Sequence, residues 1–230
     1  MEVVKFLNYS VRITDGPNFY IQYKDEFVRQ IYGFHSEDGA PLIIDGGSNI
    51  GMSVLYFKHL YPDARIIAFE PDPRIFAILQ ENVSRNHLGN VTLVNAGLGG
   101  KPGDVTFVPD GMSGGHIGEA AHGVRVRIEC LSSYITQPVD FMKLNIEGQE
   151  LEVLRELEMN QLIRNVKELV LEYHGWSGAE QRLGNILNLL DCNGYRYLVH
   201  DFDSETCSAT KPPFRLKQSP WFCLVYARRR

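Results

Sequence analysis

The chain has 230 residues, 44% of them hydrophobic, and a formal net charge of −5. That supplies enough apolar material for one enzyme-sized domain, and the negative balance argues against the basic stripe of a nucleic-acid-binding surface, so no nucleic-acid partner is expected. No apolar run of about 18 residues occurs, and Met1–Leu7 lacks the basic and long apolar regions of a secretion signal, so a cytoplasmic protein with no membrane segment is expected.

Residues 1–40 read as an N-terminal strand-helix cover, in which Glu26, Phe27, Ile31 and Tyr32 have helical spacing. Residues 41–230 then read as one domain of alternating strands and helices. The apolar run Pro41–Ile44 is a strand ending in Asp45; a glycine turn through Gly51 follows, and Met52–Phe57 begins a helix. Ala64–Phe69 is a second buried strand, with Glu70 at its tip. Asp72 and Pro73 open a helix whose stripe is Ile75, Phe76, Ile78, Leu79 and Val83. Val91–Asn95 is the third strand.

Residues 96–130 break this rhythm. Asp104–Val108 and Val124–Ile128 alternate in period two like half-solvated strands. Pro109–Gly118 between them reads either as a mobile loop near a ligand or as a plain hairpin connection, and His116 there is a weaker candidate base. Alternation resumes with a strand at Val139–Leu144, a helix at Glu147–Leu157, a strand at Glu168–Tyr173 and a helix at Ala179–Leu190. Gly194–His200 and Trp221–Tyr226, joined by the Pro212-Pro213 loop, read as a closing antiparallel hairpin. The pattern predicts an α/β fold with a mostly parallel sheet and helices on both faces.

Smaller features complete the reading. Cys130, Cys192, Cys207 and Cys223 form no C-x-x-C pair, which fits a reducing compartment; Cys192 and Cys223 lie in apolar patterns and are expected to be buried. Arg228–Arg230 is expected to be a frayed charged terminus. Trp176, Trp221 and Phe222 read either as core or as an apolar contact surface such as a homodimer would use.

The glycine spacing bears on the ligand. A dinucleotide fold uses G-x-G-x-x-G to admit a pyrophosphate. Here the fixed positions are Asp45, Gly47 and Gly51, and a carboxylate beside a pyrophosphate is electrostatically poor. Beside a cation it is favourable. Acids at the tips of the first and second strands suit S-adenosylmethionine, which carries a sulfonium and an amino group, and Glu70 at the second tip can accept ribose hydroxyls. A nucleotide-free flavodoxin-like domain with an ordinary glycine turn is the plainer alternative.

The chain also resembles the FkbM-type S-adenosylmethionine-dependent methyltransferases. The resemblance rests on Tyr32-Gly33-Phe34, Ile44 to Gly51, Ala68-Phe69-Glu70-Pro71, Asn82-Val83 with Asn86, and Asp140 to Glu150, in family order. The last block matches the family's D-F-x-K-x-D-x-E-G-x-E except at Asn145, where the family has Asp. The resemblance implies a Rossmann-like class I methyltransferase: seven strands in order 3-2-1-4-5-7-6, the last antiparallel. It also implies oxygen as the acceptor atom, and a Tyr32 that closes over the methionine end of the cofactor unless it merely packs.

In this frame Asp45, Gly47, Ser48 and Asn49 hold the methionine part of S-adenosylmethionine through backbone N–H groups and polar side chains. Glu70 takes the ribose, Pro71 and Asp72 shape the adenosine wall, and Asn95 and Ala96 flank the adenine; the reading preferred for Asp72 is as the cap of the next helix. Asn145 and Glu147, two apart at a strand tip, lie on one side if both are extended. Glu147 is a candidate catalytic group, or else the first acid of the following helix. His174, at the tip of the next strand, is the candidate general base. Because Asn145 lacks a charge where magnesium would want one, no metal is expected, and Asn145 is read instead as hydrogen-bonding the cofactor or the acceptor. The function so read is transfer of a methyl group to a hydroxyl of a small molecule, a sugar or natural-product intermediate. Transfer to nitrogen or carbon, a non-catalytic module that keeps the fold, and a more distant NAD-dependent oxidoreductase are the alternatives.

Overall fold

The computed structural model describes residues 2–109, 115–117, 123–175, 180–200 and 221–230. The chain opens with a hairpin of β1 (Val3–Phe6) and β2 (Tyr9–Arg12), then α1 (Gly16–Gln22), which continues as a π-helical turn over Tyr23–Val28. Asp15 starts α1 by accepting the Asn18 N–H at 2.9 Å, with Pro17 in the first turn. Gln30 turns the backbone to φ 55°, so Glu26, Phe27, Ile31 and Tyr32 do not share one helix; Ile31 and Tyr32 enter the core from the turn that follows it.

The domain proper runs β3 (Leu42–Gly46), α2 (Met52–Leu60), β4 (Arg65–Phe69), α3 (Pro73–Arg85) and β5 (Val91–Val94), then the short strands β6 (Gly97–Leu98), β7 (Gly103–Pro109), β8 (Gly115–Ile117) and β9 (Val124–Glu129). It closes with β10 (Val139–Leu144), α4 (Glu150–Met159), β11 (Val166–Gly175), α5 (Leu183–Cys192), β12 (Tyr195–His200) and β13 (Trp221–Arg229). Among the described residues the main sheet has seven strands in the order β5-β4-β3-β10-β11-β13-β12. Counting its members along the chain, this is 3-2-1-4-5-7-6, parallel except for β13, which runs against both neighbours. The Rossmann-like fold expected from the sequence is therefore present.

The interruption at 96–130 is a separate sheet, β6-β9-β7-β8. Its two period-two segments pair antiparallel, with Asp104 opposite Arg127 and Phe107 opposite Val124; Val126 and Ile128 are buried while Arg125 and Arg127 face solvent. Two other expectations are corrected. Arg229 is not frayed, because β13 extends far enough for Arg228 to pair with Glu168 and Arg229 with Tyr195. Cys192 is exposed, since it ends α5 on the outward side; Cys223 is buried as expected.

Alternation along the strands sorts side chains to the two faces of the sheet. Leu42, Ile44, Met142, Leu144, Leu169, Leu171 and Tyr173 join one core cluster, while Ile43, Phe141 and Val170 join the other, with Val54 and Phe57 of α2 and with Ile31 and Tyr32 of the cover. Fully burying a side chain such as Phe141 stabilises the fold by about 1.5–3 kcal/mol. By the same alternation Asp45, Lys143, Glu172 and His174 continue the second face toward the carboxyl ends of the strands.

The cover is tied to the domain by two asparagines of α3. Asn82 accepts the Arg12 N–H at 2.7 Å and donates to the carbonyls of Arg12 and Ile50, and Asn86 exchanges bonds with both backbone groups of Ser10. Their amides thus act as a partner strand for β2. Phe6 packs among Tyr9, Phe19, Tyr23 and Phe27, with ring centroids 5.0–5.8 Å apart.

Candidate functional site

The glycine turn after β3 is closed by its own backbone. Gly47 and Ser48 both donate N–H to the Phe69 carbonyl, Asn49 to the Glu70 carboxylate at 3.0 Å, Ile50 to its neighbour's Asn49 Oδ1, and Gly51 to the Ser48 carbonyl. The N–H groups expected to face a ligand are thus already paired, and Ser48 Oγ is spent on the Asp45 carbonyl at 2.9 Å. Gly47 is required here: at φ 78°, a Cβ would lie 1.9 Å from the Asn145 carbonyl oxygen. The turn therefore presses against the tip of β10.

Glu70 is buried, with one oxygen on the Asn49 N–H and the other on the Asp72 N–H at 2.9 Å. Burial raises its pKa to about 7 against those bonds. Each oxygen keeps acceptor capacity for a further donor. Asp72 caps α3, accepting the Arg74 N–H at 2.8 Å, so the structural role read for it holds. Asn95 donates its amide to the carbonyls of Glu70 and Pro71, at 2.8 and 3.1 Å, fixing the segment beside the carboxylate. Ala96, fully buried, follows it.

At the tip of β10 the expected geometry is revised. Helix α4 starts at Glu150, not Glu147, because the Glu150 carboxylate accepts the N–H groups of Ile146 and Gly148 at 3.0 and 3.3 Å and folds the intervening residues into a turn. Glu147 sits in that turn at φ 58°, so Asn145 and Glu147 are not both extended, and Glu150 is the first acid of the helix. This leaves the Glu147 carboxylate to reach His174 Nε2 at 3.5 Å. The other ring nitrogen, Nδ1, lies 3.2 Å from the Glu172 carbonyl, and Phe222 packs edge-on at 5.0 Å. Burial lowers the His174 pKa to about 4, so the ring is neutral at pH 7. Asn145 Oδ1 is buried with no hydrogen-bond partner.

Behind these groups lies a charged cluster that the sequence reading did not single out. Lys143, 4% exposed, donates to the Gly47 carbonyl at 2.5 Å, lies 3.1 Å from Asp45 Oδ1, and sits 5.5 Å from the centre of the Tyr32 ring. Asp45, fully buried, also accepts from Ser53 Oγ at 2.6 Å. Tyr32 is hydrogen-bonded through its hydroxyl to Glu172, and burial with that carboxylate raises its pKa well above the usual phenol range. Glu26 of the cover completes the group. The signal for Lys143 and Glu172 was a charge between apolar neighbours in a buried run, Met142 and Leu144 in one strand and Leu171 and Tyr173 in the other, which is costly unless paired.

Trp176, residues 110–114 and 118–122 of the glycine-rich connection, and residues 201–220 with Cys207 and the Pro212-Pro213 loop lie outside the described residues; His116 is placed in β8 by its backbone. No described helix is long and apolar enough to cross a membrane.

Comparison with known proteins bears on the family and the fold. Residues 45–197 match the model of the methyltransferase FkbM domain. The chain is 29% identical over 185 residues to methyltransferase sdnD of Sordaria araneosa, covering 63% of this chain and 71% of that protein. It is 33% identical over 138 residues to the 31-O-demethyl-FK506 methyltransferase FkbM of Streptomyces tacrolimicus, covering 56% of this chain and 53% of that protein. Among solved structures, the methyltransferase FkbM of Methylobacillus flagellatus KT superposes with a TM-score of 0.54 at 17% identity, covering 92% of this chain and 50% of that one. The chain thus spans about half the length of two of these three proteins. With the glycine turn and the β10 tip both falling within the matched segment, the chain belongs to the FkbM methyltransferase family.

Proposed function

We propose that this protein transfers a methyl group from S-adenosylmethionine to a hydroxyl oxygen of a small molecule, a sugar or natural-product intermediate. The observation that carries the reading is the approach of His174 Nε2 to the Glu147 carboxylate at 3.5 Å, on the rim that holds the glycine turn and Glu70.

The residues fit this cofactor better than a dinucleotide. A pyrophosphate needs free N–H groups at the turn, and those from Gly47 to Gly51 are all bonded within the protein. What the site offers is oxygen: the Glu70 carboxylate for ribose hydroxyls, and the unpartnered Asn145 Oδ1 for a donor at the methionine end. Pro71 and Ala96 supply apolar walls at the adenosine end. Bound S-adenosylmethionine supplies an electrophilic methyl carbon on a sulfonium.

The chain's own work is to orient the acceptor, exclude water and remove one proton. Neutral His174 takes the hydroxyl proton at Nε2 while Nδ1–H donates to the Glu172 carbonyl. The imidazolium so formed lies between that carbonyl and the Glu147 carboxylate, two acceptors that stabilise it. Incubation with methyl-labelled S-adenosylmethionine and a panel of hydroxylated sugars and polyketides tests this. The expected product is a labelled methyl ether; label on nitrogen or carbon would overturn the oxygen assignment.

A further inference from the structure

We propose that Glu26 of the N-terminal cover binds a primary ammonium group, the one at the amino-acid end of the cofactor. This rests on the reading of the site as one for S-adenosylmethionine and assigns it a residue outside the glycine turn.

Glu26 is 7% exposed, yet its Oε2 has no hydrogen-bond partner. The charged and titratable groups facing it are Lys143 of β10, Asp45 of β3, Glu172 of β11, Tyr56 of α2, and Asp25 and Tyr32 of the cover itself. Three buried carboxylates, Glu26, Asp45 and Glu172, thus share one buried ammonium. That ammonium is committed elsewhere, since Lys143 is bonded to the Gly47 carbonyl and paired with Asp45. An unpaired buried carboxylate is costly, and a ligand that brings both positive charge and N–H donors removes the cost. A hydroxyl brings no charge. A primary ammonium brings the charge and three donors.

The position of Glu26 selects which ammonium. Gln22, four residues earlier on the same helical stretch, donates to Asn49 Oδ1 at 3.3 Å, so this face of the cover lies against the glycine turn. The unpartnered Asn145 Oδ1 is on the residue whose backbone touches Gly47. Glu26 Oε2 and Asn145 Oδ1 are thus both on elements that touch the turn. Burial pushes the Glu26 carboxyl well above its ordinary pKa, and an ammonium placed beside it would act in the opposite direction.

Calorimetric titration of S-adenosylhomocysteine and of 5′-methylthioadenosine, which keeps the nucleoside and sulfur but lacks the amino-acid end, tests the assignment in the parent and in Glu26→Gln. The variant should bind S-adenosylhomocysteine about tenfold or more weakly, as loss of a charged hydrogen bond implies, with methylthioadenosine binding unchanged. Equal S-adenosylhomocysteine affinity in both proteins overturns the role of Glu26 and leaves the cofactor site standing. Failure of the parent to bind either nucleoside overturns the cofactor reading and this assignment with it.

Discussion

His174, itself buried, has one ring nitrogen 3.2 Å from a carbonyl and the other 3.5 Å from a carboxylate, and its ring packs against Phe222. Burial favours the neutral ring and the two acceptors favour the protonated one, so the residue suits a base that is neutral at rest and charged only after taking a proton. His174→Gln is expected to lower kcat by about 100-fold or more, the range for loss of a general base, with the affinity for S-adenosylhomocysteine unchanged; equal kcat would contradict the role. Because the His174 pKa lies near 4, kcat/KM of the parent should level off above about pH 5, whereas an inflection near 6.5 would mean an unperturbed histidine. The two residues, though not their geometry, were legible in the sequence. Glu147 and His174 were identifiable as acids and bases at strand tips, because strand tips carry ligands in open α/β sheets. Their contact was not, because it depends on Glu150 folding the 146–148 turn, a side-chain-to-backbone bond that periodicity does not register. Lys143 and Glu26 went unassigned because a lone charge in an apolar pattern gains meaning only from its partners across the fold.

At the level of elements, the glycine turn owes its shape to contacts from three directions: Phe69 at the end of β4 with Glu70 just after it, Lys143 from β10 and Asn82 from α3. The Asp-x-Gly-x-x-x-Gly spacing showed where the turn lies and that Gly47 is fixed. It did not show that the N–H groups are consumed internally, since the bonding of a turn depends on strands that come later in the chain. Gly47→Ala places a methyl against the Asn145 carbonyl at positive φ and is expected to destabilise the protein by about 3 kcal/mol or more. Chemical denaturation reads this directly, and a loss below about 1 kcal/mol would mean that the β10 tip yields. The cover was the least legible element. Its π-helical turn satisfies no 3.6-residue pattern, and Gln30 breaks the path before the last two apolar residues.

The molecule as a whole carries buried carboxylates whose ionisation opposes folding. Glu70 and Glu150 hold their protons to about pH 7 in the native protein, against an ordinary value of 4.5. Between those values the native state binds more protons than the unfolded chain, so stability falls as pH rises through this window, on the order of 3 kcal/mol per group; Glu26, also raised, adds to the fall. His174 acts in the opposite sense: its native pKa of about 4 lies below the ordinary 6.5, so its contribution is full above 6.5 and is lost as pH drops toward 4. The carboxylates outnumber it, and Tm should decline from about pH 4.5 to 7. In Glu150→Gln the amide oxygen can still accept from Ile146 and Gly148, so the fold should persist with a shallower decline; a Tm profile parallel to the parent's would contradict the assignment. At this scale the strand order was legible because the alternation of elements, the glycine turn and the closing hairpin all agreed. The side chains that close the site were not, because they come from the cover, β3, β10 and β11 at once. The central claim is that the rim of β3, β4 and β10 binds S-adenosylmethionine through Glu70. It is tested most directly by titrating the parent and Glu70→Ala with S-adenosylhomocysteine: saturable binding by the parent that is lost in the variant is the expected result, and no binding by the parent, or equal binding by both, would contradict it.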